Sequence, residues 1–342
     1  MAIVEHLIAD TFGTHIGKYS ERLHVTQGGD TLQQVPLLHL KTVLVTSRGV
    51  SISSDALETC AERGIPVFFL DSLGRCYASL YAAGLTGTVL TRRAQLLAYQ
   101  DARGTAVALA IAEGKIRNQA ATLKYLAKTR KDSDPAAYRE LQLCADEVLD
   151  AIAQLDRLPR DQPIEQVRER VLAAEGEAAR RYWAAVGAIL PPAYGWPGRE
   201  GRGATDPLNS LLNYGYGILY SRIEQAVVLA GLDPYAGFLH ADRPGKPSLV
   251  LDLIEEFRQV AIDRLVFGLA NRDFKVEQDE KGLLSSETRR ALAEKVLAHL
   301  EAGVRYEGKR YPLRFVIQSQ ARHLATFLRG DREAYIPFKA SW

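Results

Sequence analysis

Residues 240–258 read HADRPGKPSLVLDLIEEFR and bring His240, Asp252 and Glu255 into one short stretch. Leu249, Leu253 and Phe257 fall near helical spacing. Val250, Leu251 and Ile254 widen the apolar stripe, so the acids stand on a largely buried helix. Asp252 and Glu255 are three residues apart, which puts both carboxylates on one face, a turn apart. Two buried carboxylates without compensation repel one another, so a bound cation or a neighbouring Arg or Lys must balance them. His240, delivered from the loop before the helix, can complete a mixed imidazole and carboxylate site. The same spacing is met by acids that face water or an arginine, and by a loop histidine that is merely polar.

Two further stretches carry polar groups on apolar helices. Glu175 lies in VLAAEGEAARRYW, where Val171, Leu172, Ala178, Tyr182 and Trp183 supply the apolar face. Gly176 beside it costs a helix about 1 kcal/mol relative to alanine, which suits close approach of a backbone or a ligand. Glu175 can equally pair with Arg180 or Arg181. In DPLNSLLNYGYGILYSRIEQA, residues 206–226, Asp206 caps and Pro207 takes the first position, while Asn209, Asn213, Tyr214 and Tyr216 interrupt an apolar helix. Buried Asn and Tyr need hydrogen-bond partners, which site ligands, nucleic acid or one another can supply.

The elements that must position these groups divide the chain. Segments 5–9, 22–26, 42–46, 66–70 and 76–80 are β-rich and separated by glycine turns. One helix, capped by Ser53 or Ser54 and stopping at Gly64, interrupts them. From Arg92 on, helical periodicity runs through 92–126, 135–155, 163–189, 206–230, 249–269, 287–300 and 313–328. The reading is a two-domain α+β chain: a small β-rich N-terminal domain at 1–85, a linker at 86–91 and a larger all-α catalytic domain at 92–342. The N-terminal part collects no acids, histidines or phosphate loop, so its role is architectural, and its strand edges suit dimerisation. Residues 191–203, PPAYGWPGREGRG, form a basic, aromatic loop.

The 342 residues allow two cores, and 47% hydrophobic with 25% charged residues is ordinary for a folded protein. The net charge of +2 hides a basic segment: residues 92–131 hold nine Lys or Arg against two acids, a balance of +7 that suits a polyanionic partner or a solvated helix. Cys60, Cys76 and Cys144 show no zinc spacing, which points to a reducing compartment. Neither a secretory signal nor a membrane-length apolar run is present, so a cytoplasmic protein without membrane attachment is expected.

EGEAARRYW, DPLNSLLNYGYGIL, GLDPYAGFLH, GKPSLVLDLIEEFR and residues 318–324, in that order behind a β-rich part, resemble the CRISPR-associated adaptation integrases. These are metal-dependent DNA endonucleases that insert new spacers into CRISPR arrays, and the resemblance covers both domains. It implies metal ligands at Glu175, His240 and Glu255, with Asp252 as an additional site acid. It also implies that Lys246 approaches the scissile phosphate and that Asn213 and Tyr214 line the site. One departure is Gln259, where the family often has proline. An imidazole with two or three carboxylates suits Mg²⁺ or Mn²⁺ better than structural zinc. The family's reaction uses the 3′-hydroxyl of incoming DNA as nucleophile. Its partners would be double-stranded DNA (the spacer and the array), a second copy of the chain as homodimer, and a small ferredoxin-like adaptation protein. Basic residues at 92–131, with Arg305, Arg310, Arg314, Arg322 and Arg329, would hold DNA phosphates. A nuclease acting on branched or single-stranded DNA without joining, and a non-catalytic DNA-binding scaffold, are the alternatives.

Overall fold

Short alternating segments build the first layer of a computed structural model that describes residues 4–81, 88–201 and 203–341. In chain order these are β1 (His6–Ala9), β2 (Thr14–Tyr19), β3 (Arg22–Gln27), β4 (Asp30–Pro36), β5 (Thr42–Val45), β6 (Ser51–Ile52), helix α1 (Ser54–Glu62), β7 (Val67–Leu70) and β8 (Cys76–Leu80). They form two four-stranded sheets, ordered β1-β5-β7-β8 and β4-β3-β2-β6. β1, β5 and β7 run parallel, and β8 returns antiparallel to β7. Ser53 caps α1 by accepting the Ala56 N–H, as its placement before an apolar helical run predicts.

The strand period of two explains how this part holds the rest of the chain. Leu7, Val43, Val45 and Val67 face a core shared with Ile16, Leu23, Val35 and α1. Ile8, Leu44, Phe68 and Leu70, one residue out of phase, belong to the large helical core. The first sheet is thus buried on both faces, and the β-rich part is seated on the helices. The seam is tight at one point. A Cβ built on Gly217 would lie 1.7 Å from the Gly74 carbonyl oxygen, so the β7–β8 turn meets the following helical domain backbone to backbone.

The second part is mostly helical: α2 (Thr88–Ala98), α3 (Ala102–Lys128), α4 (Pro135–Leu149), α5 (Ala151–Asp156), α6 (Ile164–Ile189), α7 (Pro207–Leu229), α8 (Ser248–Ile254), α9 (Arg264–Ala270), α10 (Ser286–Glu301) and α11 (Leu313–Leu328). Three differences from the sequence reading have local causes. The helix expected over 92–126 is two helices, because the Asp101 carboxylate accepts the Arg103 N–H and starts α3 afresh. The domain is not wholly α: β9 (Gly303–Tyr306) and β10 (Lys309–Pro312) form an antiparallel hairpin before α11. Between α8 and α9 the expected continuous helix loosens into a turn and then one π-helical turn at Gln259–Asp263. Of the linker expected at 86–91, Thr86 and Gly87 lie outside the described residues, as does Gly84, and the chain is helical from Thr88 on. Arg202 of the 191–203 loop also lies outside them. Among the described residues no helix is long and apolar enough to cross a membrane.

Candidate functional site

Helices α3 and α6 and the end of α8 converge on one cluster of charge. Glu175 comes from the middle of α6 and Lys115 from the middle of α3, where Gly114 and Ile116 beside it are buried. Glu255 caps the end of α8. The Lys115 ammonium pairs with Glu175 Oε1 and lies 2.6 Å from Glu255 Oε2. Their side chains are only 15%, 14% and 6% exposed, for Lys115, Glu175 and Glu255 respectively. On its other side Glu255 Oε1 faces Arg258 Nε at 3.3 Å. Burial works against charge on Glu255, but Arg258 and Lys115 outweigh it and hold the carboxyl down to about 2, with His240 adding to the same effect. Burial likewise opposes charge on Lys115, and the Glu255 and Glu175 carboxylates overcome it and raise its pKa.

Arg258 is itself fixed. Its guanidinium lies 4.8 Å from the centre of the Tyr216 ring. The Tyr216 hydroxyl donates to Asp263 Oδ1, and the Tyr182 hydroxyl donates to Asp263 Oδ2 at 2.8 Å. Burial raises the pKa of Asp263, and the two tyrosine hydroxyls and the arginines Arg199 and Arg258 resist that rise. Sequence reading missed this support, although the polar residues of α7 signalled that buried partners existed.

Asp252 does a different job from Glu255. Its Oδ2 accepts the Phe238 and Leu239 N–H groups at 2.6 and 2.9 Å, and its Oδ1 lies 2.8 Å from both His240 N and His240 Nδ1. A carboxylate can only accept, so His240 Nδ1 is the donor of this pair and Nε2 is the ring nitrogen that Asp252 does not engage. The loop can close on α8 only because residue 237 has no side chain, since a Cβ there would lie 2.7 Å from the Ser248 carbonyl carbon and 2.9 Å from Asp252 Oδ2. The shared face expected for Asp252 and Glu255 therefore splits: Asp252 holds the histidine loop, and Glu255 turns to the cluster with Lys115.

Among the described residues no three His, Cys, Asp or Glu side chains come together closely enough to hold a metal ion. Yet Glu175 Oε1 and Glu255 Oε2 are buried oxygens that turn to one cation, the Lys115 ammonium, and to no other hydrogen-bond donor among the described residues. Two such carboxylates with an imidazole nearby fit a hard divalent ion by donor chemistry, and the Lys115 ammonium takes the position between them. The sequence had indicated that an Arg or Lys could be the balancing charge, but Lys115 was hidden within a basic run. Its place between the buried Gly114 and Ile116 was the available signal, since the neighbouring cations of the run fall at exposed or half-exposed positions.

The remaining candidates divide. Lys246 and Asn213 line a cleft of about 740 Å³ between the β7–β8 turn and the helices, together with Arg75, Arg243 and Arg258. Asn213 also pins the 191–203 loop: Arg199 Nη2 donates to its Oδ1 at 2.7 Å, and its Nδ2 donates to the Gly201 carbonyl at 2.7 Å. Tyr214 does not line the carboxylate site. It packs against Gly74 and faces Asp10, Thr46 and Asp71 of the β-rich part, because its position on α7 points to the domain seam. Gly176 has no neighbour within 4 Å of a built Cβ, so no backbone approaches it. The basic run is only partly a surface. Lys115 points inward, while Arg103, Arg117 and Lys124 pair with Asp101, Glu113 and Asp146. Arg92, Arg93, Lys128 and Lys131 are exposed. Arg314 and Arg329 pair with Glu301 and Asp331.

Comparison with known proteins places this arrangement in context. Residues 7–297 match the family model described as CRISPR associated protein Cas1. The chain is 39% identical over 347 residues to CRISPR-associated endonuclease Cas1 1 of Archaeoglobus fulgidus, covering 98% of this chain and 99% of the relative. It is 35% identical to CRISPR-associated endonuclease Cas1 1 of Francisella tularensis subsp. novicida, covering 99% and 100%. Its fold is similar to a casposase bound to integration product, with a TM-score of 0.80, 22% identity and 97% and 93% of the two chains covered. It is also similar to a Cas1 protein from Thermotoga maritima, with a TM-score of 0.76, 17% identity and 98% and 100% covered. A Cas6-RT-Cas1–Cas2 complex gives a TM-score of 0.75 at 20% identity, with 98% of this chain and 36% of that one covered.

Proposed function

The chain belongs to the Cas1 family of CRISPR-associated proteins, and from that premise we propose that it is a divalent-metal-dependent DNA endonuclease and integrase of CRISPR adaptation. The observation that carries this reading is the buried pair Glu175 and Glu255, turned to a single cation beside a histidine whose ring is set by Asp252. In this reading Glu175, His240 and Glu255 hold Mg²⁺ or Mn²⁺. When bound, the ion polarises the scissile phosphodiester and stabilises charge on the attacking and leaving oxygens.

The chain's own residues do the rest. Asp252 takes the Nδ1 side of His240, so that Nε2 is the ring nitrogen left to serve as a ligand. Arg258 keeps Glu255 ionised and is braced on Tyr216. Lys246, Arg243 and Arg75 supply positive charge to the cleft, where a phosphate chain would be held, and Asn213 fixes one wall. The incoming 3′-hydroxyl attacks a phosphorus of the array. A new P–O bond forms to the incoming strand as the old one breaks, and the leaving 3′-oxygen takes up a proton. No covalent enzyme intermediate is required.

The partners follow the same reading: double-stranded DNA, a second copy of the chain, and a small adaptation protein. The solved neighbours include a Cas6-RT-Cas1–Cas2 complex and, separately, a casposase bound to integration product, which support the partner and the DNA. In the β-rich domain, β4 lies at a sheet edge with Leu32 exposed, which suits pairing between copies. The three cysteines are free, in keeping with work in a reducing cytoplasm.

The test is strand transfer of a short labelled duplex into a plasmid carrying a CRISPR array, with the small partner supplied. The reading requires joined products that depend on both Mn²⁺ and a free 3′-hydroxyl. Cutting without joining would reduce the activity to that of a nuclease, and DNA binding without reaction would leave a scaffold.

A further inference from the structure

Lys115 stands where the metal of the proposed reaction needs room. Its ammonium is the group to which both buried carboxylates turn, and their inward oxygens take no hydrogen bond from anything else. The helix beneath it cannot shift easily. One turn on, Asn118 Nδ2 donates to the Glu256 carbonyl at 2.8 Å and to the Phe338 carbonyl at 2.9 Å, tying α3 to the backbone that follows Glu255. The lysine stem is different: unbranched, with a compact charge at its end, it can move its head by side-chain rotation alone. Arg258, the other cation at Glu255, lacks that freedom because its guanidinium is held against Tyr216. Two cations therefore face Glu255, one braced and one able to leave.

Building on the metal-dependent reading above, we propose that Lys115 is an internal counter-cation that holds Glu175 and Glu255 together in the metal-free protein and gives up its place between them to a divalent ion. Without it, two buried carboxylates would face each other with their nearest counter-charge gone and Arg258 set against Glu255 alone, an arrangement that costs stability. With it, the two ligands are held facing one point before metal arrives, and the ion must displace a charge already seated. The metal-binding form is then a fraction of the population, and apparent affinity falls by that fraction. Lys115 is thus a positioning residue for two ligands and a competitor for the ion they hold.

The experiment uses the full-length chain, with Mn²⁺ alone as the calorimetric probe. Lys115→Met and Lys115→Gln are expected to bind Mn²⁺ at least about tenfold more tightly than the parent, and to melt at lower temperature in EDTA, because relief of competition and loss of the counter-charge act in opposite directions. Equal or weaker Mn²⁺ binding by both folded variants overturns the proposal. Amine labelling of the unmutated protein, read on the Lys115 peptide by mass spectrometry, decides the matter even where a variant fails to fold. Lys115 should be protected in EDTA and reactive in saturating Mg²⁺, and unchanged protection overturns the proposal. Mn²⁺ binding to the parent that Glu175→Gln leaves untouched would instead remove the metal reading itself, and this inference with it.

Discussion

Asp252 Oδ1 lies 2.8 Å from both the main-chain nitrogen and the ring Nδ1 of His240, so one oxygen sets the loop and the imidazole it carries. The other oxygen accepts two more N–H groups, and the carboxylate has no lone pair left to offer an ion. Asp252→Asn would aim an amide donor at groups that themselves donate. The expected result is a drop in Mn²⁺ affinity of about 10- to 100-fold, the usual scale for losing the partner of a metal-binding histidine. Calorimetry checks this, and a thermal melt should show the accompanying loss of about 1–3 kcal/mol for the unpaired buried groups.

Glu255 makes stability depend on acid in a defined window. Its folded pKa is about 2 against an ordinary 4.5: burial favours the neutral form, and Arg258 and Lys115 outweigh it. A depressed folded pKa contributes stability that is complete above the unfolded value and is lost as pH falls through the folded one. The advantage of the parent over Glu255→Gln should therefore hold above about pH 4.5 and shrink toward pH 2. The gap corresponds to about 3 kcal/mol. Urea melts of both proteins across this range give the answer.

The domain seam makes a purely steric prediction. Gly217→Ala forces a methyl group to within 1.7 Å of the Gly74 carbonyl oxygen, and backbone rather than a flexible side-chain end must yield. A cost of about 1–3 kcal/mol is expected, on the scale of overpacking in a core. It should be visible as a lower denaturation midpoint with an unchanged slope.

Lys246 lines the basic cleft with Arg75, Arg243 and Arg258, and it forms no ion pair among the described residues. Lys246→Ala should weaken DNA binding to all sequences alike. If the lysine meets a phosphate, the slope of log K against log salt should fall by about 1. Filter binding at several salt concentrations measures it.

The fold was legible where sequence patterns were strong. α6, α7 and α11 show clear helical periods and appear within a residue or so of the expected bounds. β2 and β4 were missed because polar residues stand on the face that the buried positions share, Lys18 in phase with Ile16 and Thr31 and Gln33 in phase with Val35, which breaks the alternation. The β9–β10 hairpin was hidden between two helices, where Arg305, Lys309 and Arg310 read as a charged connection.

The site was legible in kind more than in detail. Spacing put Asp252 and Glu255 on one face, but the helix ends at Ile254, and this turns the two acids to different tasks. The compensating charge demanded by buried acids came from Lys115, distant in sequence and brought close by the crossing of α3 with α6. Only tertiary contact could reveal that. Tyr214 looked like a site residue because it stands in the same motif as Asn213, which lines the cleft, whereas its own position on α7 faces the seam.

The most direct test of the central claim is the strand-transfer rate of Glu175→Ala, His240→Ala and Glu255→Ala, measured beside their folding and DNA affinity. Placement of these three side chains at one metal-dependent centre predicts that each variant loses joining while retaining its fold and most of its DNA affinity. Undiminished transfer by all three would contradict it.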